Sequence, residues 1–327
     1  MTNWRRREAD TISHALGGAS QKLKEAGIEN FRSEAEILLS EIMEVPRWKL
    51  YTRMEEPLSS YVKEKFWEAV ERRASRCPTA YILQRKEFYG CTFLVSPRVL
   101  IPRPETELLV DVVKEKLGQW RKTEECSYKE NYWDSTGLNQ RASEPDGDSG
   151  PYALNILEMG TGSGCLAVTL ALLFPQATLW AVDISADALE IARKNATRHD
   201  VARRIIFREG NFWEALASCQ EVPVFQAVVS NPPYVPSAEF DKLSPEIKSH
   251  EPRLALDGGG DGLEAYRHII EGCGKYIQRP GGLLVLEVGV ETSAAVEDLC
   301  RQNSLFGSVE VIPDYANLPR VVVATTK

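Results

Sequence analysis

An α/β protein, with a doubly wound parallel sheet in the larger part of the chain and a small helical domain ahead of it, is what this sequence predicts. Three observations predict it. From residue 154 onward short apolar runs alternate with amphipathic stretches, the pattern of strands and crossover helices in a parallel sheet. The glycine-rich turn Gly160-Thr161-Gly162-Ser163-Gly164 follows the first of those runs and opens the next helix. Residues 1–88 are glycine-poor and helically periodic, and the character of the chain changes near Glu87-Phe88-Tyr89-Gly90.

Taken in order, Ser33-Glu34-Ala35-Glu36 reads as a capping box ahead of Ile37-Leu38-Leu39, with Ser33 as the cap and Glu36 reaching back. A second helix is expected from about 59 to 75, where Val62, Phe66, Ala69 and Val70 share one face; Pro78 then stops it. Phe88-Tyr89, Cys91 to Val95 and Val99 to Ile101 read as short strands around turns. The domain boundary is placed at 88, with 89–327 as the second domain. A helix follows over 105–117, with Leu108, Leu109, Val112 and Val113 on its apolar side. Residues 118–153 read as a polar, flexible insertion, within which Trp120, Tyr132 and Trp133 are candidates for docking on a surface. Strands are then expected at 154–158, 178–182, 204–207, 225–230 and 283–288, helices at about 164–173, 185–198 and 262–277, and a closing pair of strands at 309–313 and 320–325.

Composition narrows the function. With 327 residues, 43 % hydrophobic and 26 % charged, the chain is that of an ordinary globular protein. A net charge of -8 argues against a general nucleic-acid clamp, so no direct nucleic-acid partner is expected. No run approaches the roughly 20 apolar residues that cross a bilayer, and no apolar core follows the basic residues of Met1–Arg7. The seven cysteines are scattered and never form Cys-x-x-Cys, and the four histidines have no ligand spacing, so reduced cytoplasmic thiols and no metal site are expected.

The glycine turn is a candidate cofactor loop. Glycine lets the backbone take unusual dihedrals and approach a ligand closely, and the helix that starts near Cys165 offers unpaired N–H groups to a carboxylate. The second strand ends at Asp183, placed either to accept both hydroxyls of a ribose or simply to cap the helix behind it. A nicotinamide cofactor is the rival, but its Gly-x-Gly-x-x-Gly spacing is missed by one residue here. The tighter spacing resembles class I methyltransferases. Asn211-Phe212-Trp213 then falls near an adenine by analogy, or its rings are core aromatics.

Asn231-Pro232-Pro233-Tyr234, directly after the apolar run Ala227-Val228-Val229-Ser230, carries the chemistry. A carboxamide nitrogen is a poor nucleophile because its lone pair is delocalised. To be methylated it must be held with its N–H groups accepted by oxygens and its lone pair aimed at the methyl donor. Asn231 offers a side-chain carbonyl and Pro232 a main-chain one. Neither proline has an N–H and both have fixed φ, so the oxygens are set in place beforehand. Tyr234 offers a flat face for stacking. Loop and tetrapeptide together point to methyl transfer from S-adenosylmethionine onto a planar nitrogen.

With these residues in view the chain resembles the PrmC/HemK family, the protein-(glutamine-N5) methyltransferases that modify peptide chain release factors. The resemblance runs nearly end to end apart from the insertion. It includes Ala80-Tyr81-Ile82, Glu87 to Gly90, Leu100-Ile101-Pro102-Arg103-Pro104-Glu105-Thr106-Glu107, Ile156 to Gly164, Val182-Asp183, Ser230 to Val235, Glu251 to Gly259, and Asp314-Tyr315 with Arg320-Val321. It implies a class I, Rossmann-like S-adenosylmethionine-dependent domain and an N-terminal helical domain that recognises a release factor in the cytoplasm. The glutamine of the substrate's Gly-Gly-Gln loop is the implied methyl acceptor. By position Gly160, Thr161, Gly162, Ser163, Gly164, Asp183, Phe212 and Asn231 touch the cofactor. Asn231, Pro232, Pro233 and Tyr234 hold the glutamine, with Asn231, Pro232 and Tyr234 as the catalytic set. The loop from Arg103 to Glu107 roofs the site, or is a proline-stiffened hinge. Glu158 stands where an aspartate is often found, and Asn211 where many relatives carry an acid. Rival readings are a glutamine methyltransferase of a ribosomal protein, a DNA adenine methyltransferase, which needs a basic recognition region, and a non-enzymatic cofactor-dependent adaptor, which has no need of Asn231 or Tyr234.

Overall fold

A computed structural model describes residues 11–131, 154–217 and 219–327 of the chain. The chain divides into two units, Met1–Arg85 together with Leu243–Glu251, and Lys86–Lys242 together with Pro252–Lys327.

The first unit is helical. Its elements are α1 (Ile12–Glu25), α2 (Phe31–Ile42), α3 (Arg47–Thr52), α4 (Ser60–Ala74) and α5 (Thr79–Leu83). Thr11 caps α1 by accepting from the His14 N–H, and Ser59 caps α4 by accepting from Val62. Leu16, Leu23, Leu38, Leu39, Phe66 and Val70, at helical spacing on three helices, bury one another in the core. The expected capping box is corrected here. Helix α2 starts earlier, after Asn30, and Ser33 lies inside it. Ser33 Oγ and Glu36 Oε2 instead accept from the Arg47 guanidinium, at 3.1 and 2.6 Å, because a charged donor outcompetes a backbone N–H that the helix already satisfies. The short helix Pro245–His250 groups with this unit, and its Glu246 accepts from Arg76 at 3.0 Å and Arg73 at 3.3 Å.

The second unit begins with a hairpin, β1 (Arg85–Phe88) and β2 (Cys91–Leu94), and continues with α6 (Thr106–Asn131). Then come β3 (Leu154–Met159), α7 (Cys165–Leu173), β4 (Ala177–Asp183), α8 (Ala186–Arg198), β5 (Ile205–Glu209), α9 (Glu214–Ala217) and β6 (Ala227–Ser230). Past α10 (Pro245–His250) follow α11 (Glu264–Gly272), β7 (Leu283–Glu287), α12 (Ser293–Gln302), β8 (Phe306–Pro313) and β9 (Pro319–Thr326). The main sheet has seven strands in the order β5-β4-β3-β6-β7-β9-β8; β5 to β7 are parallel, and β9 runs antiparallel to both neighbours. This is the doubly wound sheet the alternating pattern predicts. Successive residues face opposite sides and both sides are covered, so Ile156 enters one core cluster and its neighbour Leu157 the other.

Two expectations fail. Val99 to Ile101 is not a strand but part of a turn, in which the Val99 N–H donates to Ser96 O at 3.1 Å; its apolar side chains serve burial rather than a ladder. The helix expected to end at 117 runs on to Asn131, so the first part of the expected insertion is helical. Its residues, among them Trp120, Lys122, Glu124 and Glu125, carry fair helix propensity without an apolar stripe, which is why periodicity does not reveal them. The remainder, 132–153 with Tyr132 and Trp133, lies outside the described residues, as does Met1–Arg7.

Candidate active site

Because β3 and β6 are neighbours whose connections leave in opposite directions, their carboxyl ends form the switch point at which open α/β sheets bind ligands. The register pairs Met159 with Ser230, so Gly160 and Asn231 leave the sheet side by side. Ser230 Oγ donates to the Met159 carbonyl at 2.7 Å and ties the two tips together. A cavity of about 700 Å³ opens above them, lined by Gly160, Gly162, Asp183, Phe212, Asn231 and Pro233 among others.

The glycine loop needs its glycines for different reasons. Gly160, Gly162 and Gly164 all have positive φ, of 72°, 53° and 78°. A Cβ on Gly164 would come within 2.9 Å of the Ala192 Cβ on α8, so this position serves packing. At Gly162, which lines the cavity, a Cβ meets nothing within 4 Å. Thr161 and Ser163 are buried and do not line the cavity. Two side chains hold the loop. Glu158, fully buried on β3, accepts through Oε2 from Thr161 Oγ at 2.6 Å and from the Ala167 N–H at 3.0 Å, satisfying an orphan donor of the first turn of α7. Burial pushes its carboxyl up to about 8, against the pull of those hydrogen bonds. Asn195, also fully buried, donates to the Ser163 carbonyl at 2.8 Å and exchanges two bonds with Leu94 of β2.

Asp183 closes one side of the cavity. Its Oδ2 accepts from the Gly162 N–H at 2.8 Å and its Oδ1 from Ser185 at 2.9 Å. Burial raises the carboxyl above its ordinary value while those N–H groups pull it back. The helix behind it is capped by Ser185, which accepts from Ala188, so the capping alternative for Asp183 does not describe this site. The Ile184 N–H also bonds this carboxylate, and the acceptor capacity that remains is available to a ligand hydroxyl. Of the aromatic pair, Phe212 lines the cavity with φ +46° and stacks on His268, whereas Trp213 stacks on Tyr276 and donates to the His268 carbonyl as a packing residue.

The tetrapeptide is braced from behind. Pro232 is buried, Pro233 and Tyr234 partly so. Val235 donates to Leu256 and accepts from Gly258, both at 2.9 Å, so the segment Asp257-Gly258-Gly259 runs against the turn like a short strand. A Cβ on Gly258 would lie 2.8 Å from the Tyr234 Cα and 2.9 Å from the Pro233 carbonyl oxygen. Only glycine permits that approach. Asn231 Nδ2 donates to Thr106 Oγ1 at 3.1 Å, which leaves Oδ1 as the side-chain acceptor of this cavity-lining residue. Thr106 in turn hydrogen-bonds the carboxyl of Glu287, a buried residue that ends β7 and whose Oε2 has no hydrogen-bond partner among the described residues. Burial pushes that carboxyl up to about 7. The Arg103 charge stands close enough to Tyr234 and Glu287 to favour ionisation of both. Glu107 turns the other way and accepts from the Tyr89 N–H at 2.8 Å; neither Arg103 nor Glu107 lines the cavity.

Two contributors escape the motif reading, Asn195 and Glu287, and Thr106 was read only as part of the loop from Arg103 to Glu107, not as a partner of Asn231. A signal existed for the first two. Glu287 is an acid closing the apolar run Leu283 to Leu286, and Asn195 sits in the buried stripe of α8 with Ala188, Leu189, Ile191 and Ala192. Buried polar groups in such places need partners and so mark a built site.

Comparison with known proteins agrees with this architecture. The PrmC N-terminal domain model matches residues 14–83 and the methyltransferase small domain model residues 149–260. The release factor glutamine methyltransferase of Moorella thermoacetica is 38% identical over 96% of this chain and 98% of its own length. That of Chlorobaculum tepidum is also 38% identical, over 90% of each chain. Among solved structures, the catalytic domain of hMettl16 in complex with MAT2A 3'UTR hairpin 6 superposes with a TM-score of 0.51 at 13% identity, covering 79% of this chain and 82% of that one, a likeness of fold alone. The second unit thus has the class I, Rossmann-like methyltransferase fold, and the chain belongs to the release factor glutamine methyltransferase family, PrmC/HemK.

Proposed function

We propose that this protein methylates the side-chain amide nitrogen of the glutamine in the Gly-Gly-Gln loop of a peptide chain release factor, with S-adenosylmethionine as donor. The observation that carries the reading is the β3–β6 register, which sets the glycine loop beside Asn231 at the rim of one cavity. The site suits such a donor: a cavity of about 700 Å³, a loop whose Gly162 leaves room for close approach, and a strand-end carboxylate with lone pairs for ribose hydroxyls. Gly160, Gly162 and Asp183 are assigned to contact with the cofactor, with Phe212 against the adenine, while Thr161, Ser163 and Gly164 shape the loop from behind.

When bound, the donor supplies an electrophilic methyl group on a sulfonium. The chain's own part is to make a carboxamide nitrogen attack it. Asn231 Oδ1 and the Pro232 carbonyl accept the two N–H groups of the substrate glutamine, which fixes the plane of its amide. Tyr234 stacks on that plane. As the nitrogen gains its methyl group its N–H becomes acidic, and the accepting oxygens, already in place, stabilise the developing positive charge without reorganising. The proton then leaves to solvent, so no strong base is required. Arg103 and Glu107 belong to the loop assigned as the roof of the site, and the N-terminal helical unit is assigned to release factor recognition.

The test uses labelled S-adenosylmethionine with a purified release factor, ribosomes and DNA side by side. Label on the release factor, lost when the Gly-Gly-Gln glutamine is replaced by alanine, supports the reading. Label on a ribosomal protein or on DNA overturns it.

A further inference from the structure

The turn supplies oxygens for the substrate, yet a carboxamide side chain has two nearly equivalent orientations, and only one of them points an oxygen at the cavity. What fixes the orientation of Asn231 lies one and two steps behind it. Asn231 Nδ2 donates to Thr106 Oγ1 at 3.1 Å, and Thr106 hydrogen-bonds the Glu287 carboxyl. Thr106 and Glu287 are 4% and 1% exposed, so solvent does not replace either bond. The pieces come from three elements: Asn231 follows β6, Thr106 starts α6, and Glu287 ends β7 at the level that the Ser230–Leu286 pairing gives to Asn231.

The direction of this chain follows from donor counting. With Glu287 ionised, its carboxylate only accepts, so the single hydroxyl proton of Thr106 goes to Glu287. The hydroxyl oxygen is then left as an acceptor, and it can be satisfied only by the N–H side of Asn231. The carbonyl side therefore faces the cavity. We infer that Thr106 and Glu287 are positioning residues for methyl transfer, holding the Asn231 carboxamide in the one orientation that presents its oxygen to the substrate amide. The inference rests on the proposed glutamine methylation and adds to it two residues that do not line the cavity. The cost is visible in the fold: a carboxyl buried with Oε2 unpartnered among the described residues is retained where an apolar residue would pack without penalty.

The experiment compares Thr106→Val, Thr106→Ser and Asn231→Ala in the full chain, with labelled S-adenosylmethionine and a purified release factor, alongside calorimetric affinity for S-adenosylhomocysteine and thermal melts. Valine keeps the volume of Thr106 and removes the hydrogen bond; serine keeps the hydrogen bond and removes a methyl group. Thr106→Val is expected to lower kcat about 10- to 100-fold, the range for losing a hydrogen bond to a charged network. Its KM for the release factor and its affinity for S-adenosylhomocysteine stay within about threefold, since neither contact depends on the relay. Thr106→Ser recovers most of the lost turnover. Equal turnover in Thr106→Val and wild type, or equal losses in the valine and serine variants, overturns the inference while leaving Asn231 its role. Failure of the wild type to label the Gly-Gly-Gln glutamine overturns the underlying reading instead.

Discussion

Glu158 provides a quantitative test of the loop architecture. Its carboxyl, fully buried and raised from 4.5 to about 8, holds Thr161 and the first turn of α7 together. The folded state therefore keeps a proton on Glu158 in a range where the unfolded chain has lost it. By linkage, stability falls as pH rises from about 4.5 to about 8, because over that window the native state binds more protons. Each unit of pH in the window costs about 1.4 kcal/mol. Between about pH 5.5 and pH 7.5, allowing for partial ionisation near the upper end, the loss is on the order of 2 to 3 kcal/mol.

Glu158→Gln isolates this contribution. The amide oxygen can accept from the same two donors and carries no titrating proton, so the variant imitates the protonated wild type at every pH. Urea unfolding of both proteins, without cofactor, at several pH values gives the difference in stability. Subtracting one protein from the other cancels the carboxylates they share, Glu287 included. The variant is expected to gain on the wild type by on the order of 2 to 3 kcal/mol between about pH 5.5 and pH 7.5. A difference that stays flat with pH would falsify the reasoning, since it would mean that Glu158 ionises in the fold as it does in water.

Four further outcomes follow from the site. Asn231→Ala should lower turnover at least about 100-fold, on the order of 2.7 kcal/mol, with much less change in cofactor affinity; comparable losses in both would undo its assigned role. Asp183→Asn should weaken S-adenosylhomocysteine binding about 10-fold or more by calorimetry, and unchanged affinity would remove Asp183 from the cofactor set. Gly258→Ala forces a methyl group against the Tyr234 Cα and the Pro233 carbonyl, 2.8 and 2.9 Å away, so kcat should fall at least about 10-fold through displacement of the turn, whereas Gly260→Ala, which meets nothing, should be silent. Finally, the Glu287 carboxyl, raised by burial to about 7 and faced by Thr106, Arg320, Arg103 and Glu105, should give kcat an acid limb that declines as pH falls below about 7. Glu287→Gln should flatten that limb, and an unchanged profile would show that this carboxyl does not govern turnover.

Where the sequence was readable and where it was not follows from the range of the forces involved. The inner strands were legible because a run such as Leu283 to Leu286 is buried on both faces and needs no partner to be recognised. Asn231 to Tyr234 was legible because two prolines and a strand end specify a turn locally. Ser33 misled because its capping pattern is local, while the competing Arg47 comes from a different helix. Val99 to Ile101 misled because β-branched residues bury equally well in a turn. Thr106 could not be assigned to Asn231 from the sequence at all: they are far apart along the chain and meet only because α6 begins where β6 ends.

Burial also explains why three acids at three strand ends do different work. Asp183 and Glu287 close β4 and β7, and Glu158 is the last residue but one of β3, each near the tip that faces the cavity. Glu158 and Glu287 are almost wholly excluded from solvent, and burial raises them to about 8 and about 7, so both bind protons at or near neutrality and neither is free to meet a ligand. They act inward, one on the glycine loop and the other on Asn231 through Thr106. Of the three, Asp183 alone lines the cavity, where burial raises its carboxyl and three backbone N–H groups, those of Ser185, Gly162 and Ile184, offset part of that desolvation. Exchanging burial between these positions would exchange their roles. A variant that opened Glu287 to solvent should restore an ordinary carboxylate titration there, and with it turnover that no longer falls between about pH 7 and pH 5.5.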